Sequence, residues 1–107
     1  MTKIGIIGFG RFGKILAEIL STENEIFIHD PKGINGEYHK LPLSEIIKCE
    51  ILFVAVPIRE FENVIKSLQK LSLQNTTIID VCSVKIHPVK VMEKYLPKNV
   101  GIIATHP

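Results

Sequence analysis

Apolar residues along this chain recur at two spacings. Lys3–Ile7, Glu25–His29, Ile51–Val56, Thr77–Val81 and Val100–Ala104 are short runs rich in β-branched residues. Between them the spacing changes to three and four. Phe12, Ile15, Leu16, Ile19 and Leu20 follow the first run, and Phe61, Val64, Ile65, Leu68 and Leu71 follow the third. The first spacing is that of strands and the second that of one helical face. Gly8, Asp30-Pro31 and Pro57 punctuate the strand ends. Lys32 to Pro42 reads as a loop with a short edge strand near Tyr38, followed by a brief helix capped by Ser44 and running through Lys48. Pro88 suits the first turn of a last helix, which Pro97 ends before the final strand reaches Thr105-His106-Pro107.

Strands this apolar, alternating with helices, predict a parallel sheet covered on both faces. Right-handed crossovers make that sheet doubly wound, an α/β fold of Rossmann type. The helical stripes are expected to face the core. At 107 residues the chain is expected to form one domain, residues 1–107.

Composition narrows the function. Hydrophobic residues make up 46% of the chain, too many for a disordered segment. Thirteen Lys and Arg against eleven Asp and Glu leave a net charge of +2, far from the balance of a nucleic-acid binder. The longest apolar run, Ile51–Ile58, falls well short of the ~20 residues that cross a bilayer. Met1-Thr2-Lys3 leads straight into the first strand without a leader pattern, so a soluble cytoplasmic domain is expected. Cys49 and Cys82 fall at opposite edges of the expected sheet, roughly 17 Å apart and beyond the ~7 Å reach of a disulfide. His29, His39 and His87 lack ligand spacing, so no metal site is expected.

Gly8-Phe9-Gly10-Arg11-Phe12-Gly13 lies where the first strand gives way to the first helix. Gly-x-Gly-x-x-Gly is a weak signal alone; between a strand and a helix it becomes the dinucleotide-binding pattern. Gly8 permits the tight turn, Gly10 lets a diphosphate approach the backbone, and Gly13 lets the helix press on the strand. The helix start offers N–H groups and a partial positive charge to the diphosphate. Asp30, 22 positions after Gly8, is placed for the ribose hydroxyls, and its charge disfavours the 2′-phosphate of NADP. NAD is therefore expected over NADP. Against this, Asp30 also suits a turn before Pro31, and Arg11 or Lys32 could meet a 2′-phosphate. Val56-Pro57 ends the strand expected beside the first, and is read either as a cofactor contact or as a proline that stops a strand.

Asp80-Val81-Cys82-Ser83-Val84-Lys85 and, 20 positions on, Thr105-His106-Pro107 both end strands at the edge where α/β folds bind ligands. A Ser, a Lys and a His thus converge on one edge. With these residues the chain resembles the N-terminal domain of the prephenate/arogenate dehydrogenases, enzymes of tyrosine biosynthesis. The resemblance runs through the glycine loop, the acid after the second strand, Asp-Val-x-Ser-Val-Lys, a Leu-Pro and the closing His-Pro. The glycine loop is shared with many dehydrogenases; Ser-Val-Lys together with His-Pro is far more specific.

The resemblance implies an oxidative decarboxylation in which NAD takes hydride from the ring carbon bearing the hydroxyl, carbon dioxide leaves and the ring becomes aromatic. It assigns the catalytic histidine to His106, which draws off the hydroxyl proton, and the positioning serine to Ser83. An imidazole with a pKa near ~6.5 suits that task at neutral pH. Read without the resemblance, His106 is a surface histidine, Ser83 a helix cap and Lys85 a solvated or structural lysine. In the family, His-Pro continues into a helical dimerisation domain that also supplies a substrate-gripping arginine. These residues contain none of that, and their only arginines are Arg11 and Arg59. The chain alone is therefore expected to bind dinucleotide weakly and to turn over little, the homodimer requiring the missing domain. Two other readings stand: the cofactor half of another NAD(P)-dependent oxidoreductase, or a stand-alone NAD(H)-binding regulatory module.

Overall fold

Runs of β-branched residues need burial on both faces, and the chain arranges them in a single six-stranded sheet. A computed structural model describes residues 2–8, 10–30, 38–71, 73, 75–81 and 86–104, with backbone alone at 86–89 and 104. The elements in order are β1 (Lys3–Ile7), α1 (Arg11–Leu20), β2 (Glu25–His29), β3 (His39–Lys40), α2 (Leu43–Ile46), β4 (Ile51–Val54), α3 (Ile58–Gln69), β5 (Thr77–Asp80), α4 (Ile86–Tyr95) and β6 (Gly101–Ala104). Strand order is β3-β2-β1-β4-β5-β6 and every neighbouring pair is parallel. The winding direction reverses between β1 and β4. This is the doubly wound, Rossmann-type sheet that the alternation predicts, with its crevice at the carboxyl ends of those two strands.

Alternation along each strand divides the core in two. Ile7, Leu52, Val54 and Ile78 pack with Ile46 of α2, Phe61, Ile65 and Leu68 of α3, and Val91 and Met92 of α4. Ile4, Ile6, Ile26 and Ile28 pack on the other face with Ala17 of α1. The stripe predicted on α3 is the buried one: Phe61, Ile65 and Leu68 are fully enclosed.

Three local expectations need correction. The brief helix α2 is not capped by Ser44; it begins at Leu43 behind an extended Pro42, with no side-chain cap. The Pro42 carbonyl accepts from the amides of Glu45 and Ile46, and the ring already holds the φ that a helix start requires. Strands β4 and β5 end earlier than their apolar runs, at Val54 and Asp80. Single bonds continue each ladder, from Ala55 N–H to the Ile7 carbonyl and from Val81 N–H to the Val54 carbonyl, before the chain turns away. The third correction concerns α1. Gly13 and Ala17 are its buried residues, whereas Phe12, Ile15 and Ile19 of the predicted core stripe stay 40%, 47% and 64% exposed. The small residues face the sheet because the helix approaches β1 too closely for larger ones.

Candidate functional site

The β1–α1 turn is built from two glycines that the backbone requires. Gly8 adopts φ +101°, a region L-residues rarely enter, and a Cβ there would stand 2.5 Å from the Ala55 carbonyl oxygen. A Cβ on Gly13 would collide with the carbonyl oxygen of Gly8. Gly8 therefore serves the close approach of the turn to the chain just after β4, and Gly13 the close packing of α1 on the turn. Gly10 is different: it holds an ordinary extended conformation, and among the described residues a Cβ there would meet nothing within 4 Å. Among the described residues no contact accounts for that glycine, which leaves the space beside it open to a ligand's approach. Gly10 starts α1 with no side-chain cap, and the first turn carries no acidic residue. Its amide donors and the positive end of the helix dipole are thus presented to an anion.

Strand register brings the rest of the site to that turn. Ile7 pairs with both His29 and Val54, so the ends of β1, β2 and β4 lie level. Gly8 N–H donates to the His29 carbonyl across 2.8 Å. Asp30, half-buried, follows directly. A cavity of about 590 Å³ opens here, in the size range of cofactor sites. Its floor is Ile7, Gly8, Gly10 and the Ala55-Val56-Pro57 segment; His29 and Asp30 close one side, and Glu60, Asn63, Val64 and Ser67 of α3 close the other. The His29 ring is fixed by its Nδ1, 2.9 Å from the Leu41 carbonyl. A carbonyl only accepts, so Nδ1 carries the proton of this bond.

Of the residues expected to touch a cofactor, Gly8, Gly10, Asp30, Val56 and Pro57 line this one cavity. Gly13 supports the turn from behind. Arg11 and Phe12 lie exposed at the start of α1 and do not line it. Phe9, Ser83, Lys85 and His106 lie outside the described residues, as does Cys82. Cys49 is buried and free, and burial pushes its thiol pKa above the usual 9.0. At the same carboxyl edge, Asp80 is wholly buried beside Val54.

Sequence reasoning missed the α3 wall. Glu60, Asn63, Val64 and Ser67 are spaced i, i+3, i+4, i+7, a second stripe flanking the apolar one. That periodicity was visible; what lay opposite it was not. His29 was missed as well, because its role depends on Leu41, twelve residues away.

Residues 19–107 match the profile of a family described as prephenate dehydrogenase, nucleotide-binding domain. Arogenate dehydrogenase 1, chloroplastic, of Arabidopsis thaliana is 33% identical over 115 aligned positions, which cover 98% of this chain and 18% of the relative. Among solved structures, prephenate dehydrogenase from A. aeolicus, in complex with hydroxyphenyl propionate and NAD+, superposes with a TM-score of 0.79 at 21% identity. That superposition covers 100% of this chain and 42% of the other. Plasmodium falciparum pyrroline carboxylate reductase, with NADP bound, superposes with a TM-score of 0.82 at 21% identity, over 99% of this chain and 42% of that one. Identities this low speak for the fold alone, a fold that hosts unlike chemistries. The chain spans less than a fifth of the plant relative and about two fifths of each solved chain.

Proposed function

This chain belongs to the family of prephenate dehydrogenase nucleotide-binding domains, and on that premise we propose that it is the NAD-binding half of an enzyme that oxidatively decarboxylates prephenate or arogenate. The observation that carries this reading is the cavity that joins Gly8, Gly10 and Asp30 to the α3 wall at the reversal point of the sheet. Its lining suits a dinucleotide. The uncapped start of α1 receives the diphosphate and the Asp30 carboxylate accepts from the ribose hydroxyls, which also disfavours a 2′-phosphate. The polar face of α3, Glu60, Asn63 and Ser67, takes the purine.

When bound, NAD supplies the hydride acceptor. The chain's own part is alignment and proton removal. Val56 and Pro57 hold the ring end of the cofactor at the carboxyl edge of β4. Ser83 orients the substrate hydroxyl, and His106 takes its proton as the carbon–hydrogen bond breaks, so that no alkoxide builds up. Aromatisation drives the step, which leaves positioning as the protein's main contribution. The two carboxylates of prephenate need cations. Arg11 and Arg59 are the only arginines of these residues, so this reading draws the substrate-gripping cation, and the homodimer, from a further domain. The same reading assumes a cytoplasmic enzyme of tyrosine biosynthesis; no helix among the described residues is long and apolar enough to cross a membrane.

The test is calorimetric titration of the chain with NAD+, followed by a prephenate and arogenate dehydrogenase assay. Weak, saturable NAD+ binding with little turnover is expected. No heat and no shift in melting temperature at millimolar NAD+ overturns the cofactor assignment, and full turnover by the chain alone overturns the need for a second domain.

A further inference from the structure

The α3 wall of the cofactor cavity is one-sided in its chemistry. Glu60, Asn63 and Ser67 carry its polar groups. The Ser67 hydroxyl donates to the Asn63 main-chain carbonyl across 3.0 Å, so what it has left for a ligand is lone pairs. The Glu60 carboxylate only accepts. It stands in the first turn of α3, where the helix dipole favours a negative charge, and among the described residues no ion pair or side-chain hydrogen bond engages it. The Asn63 amide brings an acceptor and a donor group. Val64 on the same flank and Leu43 at the start of α2 add half-buried apolar surface to the cavity. The wall is thus rich in acceptors, and it suits the edge of a flat ligand that carries a polarised N–H group.

We infer, resting on the dinucleotide reading above, that Glu60 with Asn63 beside it selects adenine among the purines by accepting from its exocyclic amino group. With the diphosphate at the start of α1 and the ribose at Asp30, the base extends into the half of the cavity that α3 closes. Adenine presents there an amino donor next to a ring-nitrogen acceptor, a pair that an asparagine amide matches with two hydrogen bonds. Hypoxanthine and guanine carry a carbonyl oxygen in place of that amino group. An amide can turn over to meet the oxygen, but a carboxylate has no donor to offer, and two acceptors then face one another. Discrimination therefore falls on Glu60. Two other duties are open to a first-turn carboxylate, complementing the helix dipole and accepting from a ribose hydroxyl, and both are blind to the base.

A change of base in the cofactor tests this. The complete protein and its Glu60→Gln variant are titrated calorimetrically with NAD+ and with nicotinamide hypoxanthine dinucleotide, and their melting temperatures are compared. The parent should bind NAD+ about tenfold to a hundredfold more tightly than the hypoxanthine dinucleotide, the worth of one hydrogen bond to a charged group. In Glu60→Gln, whose amide can donate to the oxygen, that ratio should fall toward one at a nearly unchanged melting temperature. Asp30→Ala should weaken both dinucleotides together and leave the ratio as it was. Equal affinity of the parent for the two dinucleotides overturns base selection while the NAD assignment stands. A preference that Glu60→Gln retains overturns the role of Glu60, as does a variant that loses melting temperature and both affinities in parallel. No binding of either dinucleotide at millimolar concentration overturns base selection together with the cofactor assignment beneath it.

Discussion

The amide of Gly8 donates to the carbonyl oxygen of His29 across 2.8 Å, and this single bond ties the glycine turn to the strand end that carries Asp30. It makes the uncapped start of α1 and the Asp30 carboxylate parts of one corner of the cavity. Substitutions on either side of the bond therefore separate structural from binding roles.

The glycines of the turn should respond unequally. Gly8→Ala must hold an alanine at φ +101° against the Ala55 carbonyl, which should destabilise the chain by about 1–3 kcal/mol or prevent folding. Gly10→Ala meets open space, so its melting temperature should stay near that of the parent while NAD+ affinity falls. Thermal denaturation paired with calorimetric titration separates the two. Equal loss of stability in both variants contradicts the assignment of Gly10 to ligand approach.

Asp30→Ala removes a charged acceptor from the cofactor cavity. A hydrogen bond to a charged group contributes about 1.5–3 kcal/mol, so NAD+ binding should weaken by roughly tenfold to a hundredfold. NADP+ binding should weaken less, or improve, because the repulsion of its 2′-phosphate is gone. Titration with both dinucleotides measures the ratio; an unchanged ratio removes Asp30 from cofactor selection.

Cys49 supplies a pH signature. Burial holds its thiol protonated and raises its pKa above 9.0, so the unfolded state ionises first. The contribution to stability is complete below the unfolded thiol pKa and is lost as pH rises through the higher folded value. Melting temperature should therefore fall above pH 9.0 more steeply in the parent than in Cys49→Ala. Melts at pH 7 and at pH 10 check this, with the variant's own loss of packing cancelling between the two.

In the complete enzyme, His106→Asn should lower kcat by about two to four orders of magnitude while leaving NAD+ binding unchanged, the behaviour of a general base. Ser83→Ala should lower kcat less. A fall in NAD+ affinity without a fall in kcat would move His106 from proton transfer to cofactor binding.

Much of this architecture was open to reading from single residues. Lys3–Ile7, the glycine loop and Asp30 predict a strand, an anion-binding turn and a ribose acceptor, and the register brings them to one corner because each signal is local. The α3 stripe was equally legible, since its core face needs only the spacing of Phe61, Ile65 and Leu68. The polar half of the cavity was not. Glu60, Asn63 and Ser67 acquire a place in it only because the fold brings α3 to the same cavity as the end of β2.

By itself the sequence determined the parallel doubly wound sheet, the glycine turn at the start of α1 and the acid beside it, because backbone conformation and short-range periodicity depend on neighbouring residues alone. Tertiary structure decided which side of each helix is covered. On α1 a five-residue apolar stripe was present, yet Gly13 and Ala17 took the buried position and Phe12, Ile15 and Ile19 were left outward. A periodic pattern records that a helix has an apolar side; strand order, crossover hand and the closeness of approach at Gly13 select the part that meets the sheet.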